Sequence, residues 1–160
     1  MSARAYLFAF AAVAAFAVTS AQAAQDPFIG TWKEDFAASK FDPISVEGKA
    51  LTVKREAFAH GWKHTTSGVD AQGHVTHHIY TAPTLDGKDY PIAGARDYDT
   101  VSIKRMNLNT IITVDKKNGL VVRMMRTTIS KDGKDYENDQ VGYTSDGTPF
   151  HNIVISHKIQ

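Results

Sequence analysis

A chain of 160 residues with 42% hydrophobic residues is long enough for one globular domain, but not for two well-packed ones. Lys and Arg number 18 and Asp and Glu 17, so the formal net charge of +1 lacks the basic excess typical of nucleic-acid-binding proteins. The chain contains no cysteine, which excludes thiol catalysis, Cys-ligated zinc and iron–sulfur clusters.

The first 23 residues are typical of a secretory signal peptide. Arg4 supplies a positive start, Tyr6 to Val18 form an uninterrupted apolar run, and Ala21-Gln22-Ala23 is the small-x-small pattern that signal peptidase accepts. An uncleaved membrane anchor is the alternative, but the apolar run is shorter than the about 20 residues of a membrane-spanning helix. We therefore expect cleavage before Ala24, export to a bacterial periplasm or beyond, no stable membrane insertion afterwards, and one mature domain of residues 24–160.

The rest of the chain predicts short β-strands, because runs of β-branched or alternating residues recur between turn signals. In chain order the predicted strands are Phe28–Lys33, Ala50–Glu56, His60–Ser67, His74–Ala82, Tyr90–Ala93, Tyr98–Met106, Thr110–Asp115, Leu120–Ser130, Lys134–Tyr143 and Phe150–Lys158. The second and third are expected to form one bent or bulged stretch. The only segment that also fits a short helix is Asp35–Lys40.

Asp-Gly and Asn-Gly pairs predict tight hairpin turns, because Gly adopts positive φ freely and Asp and Asn tolerate it. Four such pairs occur, at Asp86-Gly87, Asn118-Gly119, Asp132-Gly133 and Asp146-Gly147, and Gly73 is expected to close a further turn. Adjacent hairpins with one apolar face form a sandwich or a closed barrel. Because short turns join nearly all neighbouring strands, we predict an all-β fold, a single antiparallel up-and-down β-barrel of about 8–10 strands.

The first strand carries a short motif, Phe28-Ile29-Gly30-Thr31-Trp32-Lys33, which resembles the opening of the calycins, the lipocalins and fatty-acid-binding proteins. There the glycine lets the strand bend and the tryptophan closes the floor of the barrel. The mature chain is also similar to small secreted bacterial proteins with lipocalin-like folds, through Gly30-Thr31-Trp32-Lys33, Ser39-Lys40-Phe41, residues 86–91, residues 99–105 and residues 130–134. The resemblance implies a lipocalin-like barrel.

The last predicted strand departs from fatty-acid-binding proteins, which carry an interior Arg-x-Tyr there for the carboxylate of the ligand. This chain has no such pair between His151 and Lys158. Arg123 or Arg126 could replace it, and the sequence does not say which of them points inward. The remaining candidates for lining a ligand site are large or alternating strand residues: Trp32, Trp62, Tyr80, Val101 and Ile103.

Histidine is unusually frequent, with seven in the chain: His60, His64, His74, His77, His78, His151 and His157. No His-x-His pair occurs, so no strand presents two neighbouring same-face imidazoles to a metal ion. If Gly73 closes its turn, however, His64 opposes Tyr80 and lies diagonally beside His78. This pair is the candidate zinc or copper site. The alternatives are ordinary hydrogen-bonded or solvated strand histidines, and a polar, aromatic wall for a ligand.

The sequence contains no nucleophile elbow, phosphate loop or dinucleotide fingerprint. Its carboxylates fall mostly on predicted turns, where aspartate is common for conformational reasons. We therefore predict a non-enzymatic, monomeric protein that holds an apolar or amphipathic small molecule without a cofactor. Two other classes stay open: a metal- or haem-binding barrel, the haem held by His151 or His157, and an envelope interaction protein without a ligand. A shape-based isomerase or cyclase is a further alternative.

Overall fold

The computed structural model describes residues 25–43, 48–70 and 72–160, so the predicted signal peptide lies outside the described residues. The described chain forms ten β-strands: β1 Gly30–Asp42, β2 Ala50–Phe58, β3 Gly61–Val69, β4 Val75–Ala82, β5 Asp86–Ala93, β6 Thr100–Asn107, β7 Thr110–Lys117, β8 Leu120–Ile129, β9 Asp135–Tyr143 and β10 Pro149–Lys158. Over these ranges, no helix has the length and apolar character needed to cross a membrane.

The ten strands close into one barrel. Each strand pairs antiparallel with the next along the chain, and β1 also pairs with β10. Trp32 lies on the closing strand, opposite Val53 of β2 and Lys158 of β10. Gly30 has a φ of 137°, and a Cβ atom there would lie 2.4 Å from the carbonyl oxygen of Gln160. Glycine is thus required where the chain end crosses β1, and the predicted antiparallel up-and-down barrel is confirmed.

Several predicted turns are also confirmed. Asn118 and Gly119 join β7 to β8 as a two-residue turn between the paired residues Lys117 and Leu120, and both have positive φ, 51° and 80°. This is the conformation that Asn-Gly favours in hairpins. Gly73 closes the β3–β4 turn with a φ of 89°. The register of the β3–β4 hairpin is therefore the one that the sequence predicted.

The helix considered at Asp35–Lys40 is wrong, because this segment belongs to β1. The register against β10 shifts between Asp35 and Lys40, so that extra residues of β1 bulge out of the pairing. The Ser39 hydroxyl donates to the carbonyl of Asp35 (2.6 Å) and accepts from the amide of Ile155 (2.9 Å). Such local side-chain hydrogen bonds stabilise a bulge as readily as a helical turn.

The prediction that residues 50–56 and 60–67 form one bent stretch is also wrong. They are the two strands of the β2–β3 hairpin, in which Phe58 pairs with Gly61 across a turn at Ala59 and His60. Ala59 has a φ of 52°, in the left-handed region that alanine rarely adopts. The turn was missed because it carries no Asn-Gly or Asp-Gly signal.

The hairpin predicted at Asp86-Gly87 is also wrong, because here the turn signal is present but the chain forms no turn. Both residues lie inside β5, at an irregularity in its pairing with β6, and Gly87 has a φ of 90°. The β4–β5 turn falls earlier, at residues 83–85. The positive φ that the pair favours is used in a bulge instead of in a turn.

The hydrophobic core fills one end of the barrel. Tyr80 belongs to this buried core; its other members, which we call the plug, are Phe28, Ile29, Trp32, Val53, Trp62, Ala82, Val101, Ile103, Ile111, Ile129 and Tyr136. The Trp32 indole nitrogen donates to the carbonyl of Phe28 (3.2 Å), and its ring lies 5.0 Å from that of Tyr136. The Lys158 ammonium lies 5.1 Å from the Trp32 ring centroid, within cation–π range. Trp32 is thus fully buried in the plug, where a hydrogen bond, a ring contact and a cation–π contact hold it.

Candidate functional site

A cavity of ≈ 710 Å³ occupies the barrel between the plug and the turns at the other end. Its lining extends to Asp70, Asp97 and Asp146, which belong to three connections at that end, so the cavity opens there. The wall is rich in polar side chains. Buried or partly buried polar members include Glu34, Arg55, His64, Thr66, His78, Thr113, Asp115, Arg123, Thr127, Asn138, Gln140 and Asn152.

Four rings form a continuous stack along the cavity wall. His64 of β3 faces Tyr80 of β4 directly, with ring centroids 4.5 Å apart and planes 11° from parallel. On its other side His64 stacks on His78, at 5.9 Å and 12°, and His78 meets the ring of Tyr98 edge to face at 5.6 Å. The predicted neighbourhood of His64, His78 and Tyr80 is thus confirmed, and Tyr98 extends it.

The buried imidazoles of the stack are neutral at neutral pH. Burial, followed by the charge of Arg55, lowers the pKa of His64 well below its usual range. Burial and then Arg123 lower the pKa of His78 to about 4. Burial also raises the pKa of Tyr80 to about 12. A protonated imidazole at either position would be a cation without hydration and without a counter-charge. The stack therefore presents polar but uncharged groups to the cavity.

Asp115 and Arg123 form an ion pair in the wall. Asp115 of β7 is 1% exposed, and one of its carboxylate oxygens accepts from Nε of Arg123 (2.8 Å) and lies 2.5 Å from Nη2. The guanidinium also lies 4.7 Å from the ring centroid of Tyr98. Because each charge lies beside its counter-charge, their attraction offsets the free-energy cost of burying both groups.

Arg55 is the second arginine of the wall and differs from Arg123 in its surroundings. It lies on β2 directly opposite His64 of β3, and 6% of its surface is exposed. Its guanidinium carbon lies 5.8, 5.5 and 5.6 Å from the ring centroids of Phe28, Trp62 and Tyr136. Three plug aromatics therefore hold a cation at the floor of the cavity.

The sequence-predicted lining residues divide into three groups. Tyr80 and Arg123 line the cavity. Trp32, Trp62, Val101 and Ile103 lie in the plug, where their side chains pack on one another. Arg126 is exposed on the outside of β8, in a position paired with Asp139 of β9. The question that the sequence left open is settled: Arg123 points inward and Arg126 outward.

Sequence reasoning missed Arg55, Asp115 and Tyr98. Arg55 stands between Lys54 and Glu56 in a run of charged residues, which resembles a solvated strand. The available signal was alternation, since Leu51, Val53 and Arg55 occupy every second position of β2. The sequence predicts Tyr98 in a strand, whereas β6 begins at Thr100 and Tyr98 belongs to the connection before it.

The described residues contain no group of three or more His, Cys, Asp or Glu side chains that could hold a metal ion. His64 and His78 are close, but they stack face to face. The late histidines lie on the outer surface: His151 contacts Asp139 (2.8 Å), and His157 contacts Asp135 (2.6 Å) and Asp35 (3.2 Å). Zinc, copper or haem binding stays an alternative that the sequence leaves open, beside the prediction of no cofactor.

No protein-family model and no curated protein sequence matches this chain. Among solved structures the chain is similar to the zebrafish ileal bile acid-binding protein complexed with cholic acid, with a TM-score of 0.49 and 14% identity. The match covers 83% of this chain and 99% of that one.

Proposed function

We propose that this protein binds a small amphipathic molecule in the cavity above the plug. The observation that carries the proposal is an interior space of ≈ 710 Å³, closed by the plug at one end and open at the other. Sites for small organic ligands have about 300–1,000 Å³. A barrel that served only as a scaffold would have no need to leave this space unfilled, because packing it would add stability.

The chemistry of the wall favours an amphipathic guest over a purely apolar one. Polar side chains such as Thr66, Asn138 and Asn152 alternate with Val154, Ile92 and the ring stack along the lining. A purely apolar guest would cover the lining groups that lack a partner, such as Nε of Arg55 and Nδ1 of His64, without bonding them, at about 1–3 kcal/mol for each group left unsatisfied. A guest with both polar atoms and an apolar body would satisfy both parts of the lining.

Filling the cavity tests this proposal. Thr127 is 2% exposed and lines the cavity, whereas its neighbour Thr128 is exposed on the outside of the same strand. We expect Thr127→Phe to weaken binding of the fluorescent probe N-phenyl-1-naphthylamine by about tenfold or more, because the new ring would occupy the space of the guest. Thr128→Phe, the matched control, should bind like the wild type. The measurement is a fluorescence titration, with cooperative thermal unfolding as the check of folding.

Two results would contradict the proposal. One is a wild-type protein that does not bind the probe at all. The other is equal affinity in the wild type and both variants, which would place the probe on the outer surface. If Thr127→Phe does not fold, Thr113→Phe fills the same cavity from β7, since Thr113 is 7% exposed and lines it as well.

We also propose that the protein is exported and cleaved before Ala24, on the strength of the signal-peptide pattern in residues 1–23. The intact mass of the protein recovered from an envelope extract should correspond to a chain that begins at Ala24. A mass that includes Met1 would contradict cleavage. Recovery only in the cytoplasmic fraction would contradict export.

A further inference from the structure

Arg55 has fewer hydrogen-bond partners than its burial requires. A guanidinium carries five N–H donors, one on Nε and two on each terminal nitrogen. Nε and Nη1 are buried and have no hydrogen-bond partner among the described residues, which leaves three of the five donors unused. Hydrogen-bonding groups removed from water in this way are costly unless an acceptor is supplied.

The contrast with Arg123 shows what Arg55 lacks. Arg123 donates to Asp115, and the two form a close ion pair. Arg55 packs on three aromatic rings, which stabilise its charge but offer no oxygen acceptor to those donors. Glu34 lines the same cavity and brings a carboxylate to its wall, yet Nε and Nη1 of Arg55 remain without a partner. Their acceptor therefore has to come from the contents of the cavity.

We propose that Arg55 binds the charged end of the ligand, a carboxylate or a sulfonate. This inference rests on the proposed function and specifies it: the guest is an organic anion that enters head first, with its oxyanion at the floor of the cavity and its body towards the mouth. An oxyanion offers several acceptor lone pairs to a guanidinium, and charge-assisted hydrogen bonds of this kind are stronger than neutral ones.

His64 supplies a second polar atom at the same place. It lies directly opposite Arg55, and its Nδ1 is buried without a partner, while Nε2 lies 2.8 Å from the hydroxyl of Thr66. In the tautomer in which Nε2 accepts from that hydroxyl, Nδ1 carries the proton and donates beside the guanidinium. The oxyanion thus meets donors from two neighbouring strands.

A pair of probes that differ only by a charged sulfonate group tests the inference. 1-Anilinonaphthalene-8-sulfonate and N-phenyl-1-naphthylamine share one aromatic body, and only the first carries a sulfonate. We expect Arg55→Gln to weaken binding of the anionic probe by about tenfold or more, because the charge-assisted bonds are lost. Binding of the neutral probe should change by less than about twofold. Arg126→Gln, which removes an arginine from the outer surface of β8, is the matched control and should leave both affinities unchanged.

The outcomes separate this inference from the function on which it rests. If the wild type binds neither probe, the proposed function fails. If the wild type binds both and Arg55→Gln leaves the anionic probe bound as tightly, or weakens both probes alike, the inference about Arg55 fails and the binding function stands. Should Arg55→Gln not fold, Arg55→Lys replaces it, because it keeps a charge but loses the guanidinium fork. Several-fold weaker binding of the anionic probe alone is then expected.

Competition identifies the head group. Undecanoate and decanesulfonate, used below their micelle concentrations, carry the two oxyanions on the same decyl chain, and decanol is the neutral reference. Either anion should displace the bound anionic probe from the wild type at a concentration about tenfold lower than decanol does. The anion that displaces the probe at the lower concentration carries the preferred head group. Equal displacement by decanol and by both anions would overturn the assignment of Arg55.

Discussion

The two halves of the barrel interior differ in the inward-facing residues of the same strands. Along β3 the inner positions are Trp62 in the plug, followed by His64 and Thr66 in the cavity. Along β7 they are Ile111 in the plug, followed by Thr113 and Asp115 in the cavity. The alternation continues unchanged while the side chains turn from apolar to polar, so one half packs the core and the other surrounds the cavity.

This difference predicts that truncating a side chain will have unequal effects in the two halves. Trp32→Ala should lower the free energy of unfolding by about 3–5 kcal/mol, because the ring is fully buried and its removal leaves a hole in packed surroundings. Thr113→Ala should cost about 1 kcal/mol or less, because this side chain already borders open space. Urea denaturation followed by circular dichroism measures both. Equal losses would show that the cavity half is packed as the plug is.

The wall ion pair should show a smaller effect. Asp115→Asn is expected to cost about 1–3 kcal/mol, because it leaves the partly buried Arg123 without its counter-charge. The double variant Asp115→Asn with Arg123→Gln should recover part of this loss, since no uncompensated charge is left.

The matched control for the ion pair is Asp89→Asn, which breaks the surface contact between Asp89 and Lys116 (2.7 Å) and should cost about 0–1 kcal/mol. The account of the wall would be wrong if the buried and surface variants lost the same stability. It would also be wrong if the double variant were less stable than Asp115→Asn alone.

The buried histidines should make the protein sensitive to mild acid. Their pKa values are lowered in the folded state, that of His78 to about 4, so between pH 6.5 and about 4 the unfolded chain binds protons that the folded chain does not. Stability is then full above pH 6.5 and falls as the pH drops, by up to about 1.4 kcal/mol per pH unit for each histidine.

Unfolding free energies measured between pH 4 and pH 7 test this expectation. His78→Gln should flatten the slope, because one of the two groups is removed. The same substitution at His60, which is exposed in the β2–β3 turn, is the control and should leave the slope as it is in the wild type. A slope that His60→Gln and His78→Gln change equally would mean that the buried pair does not cause it.

The contrast between the two halves also explains what the sequence could predict. Alternation of apolar residues, as at Val101 and Ile103, and turn signals such as Asn118-Gly119 identified the barrel and nearly all of its strands. The same rule does not identify inward positions that are polar, such as Arg55 and Asp115, because their residue types are those of an outer face. His64 and His78 were found only because Gly73 fixed their register by turn geometry.

The central claim is that the cavity, and not the outer surface, holds an amphipathic anion. An amide correlation spectrum of the ¹⁵N-labelled protein, titrated with 1-anilinonaphthalene-8-sulfonate, tests it most directly. We expect saturable shifts at the amides of Arg55, His64, Thr113 and Thr127, with the Nε–H resonance of Arg55 among the largest. Shifts confined to the exposed apolar residues of β8 and β9, Met124 and Val141, would place the probe outside the barrel and contradict the claim.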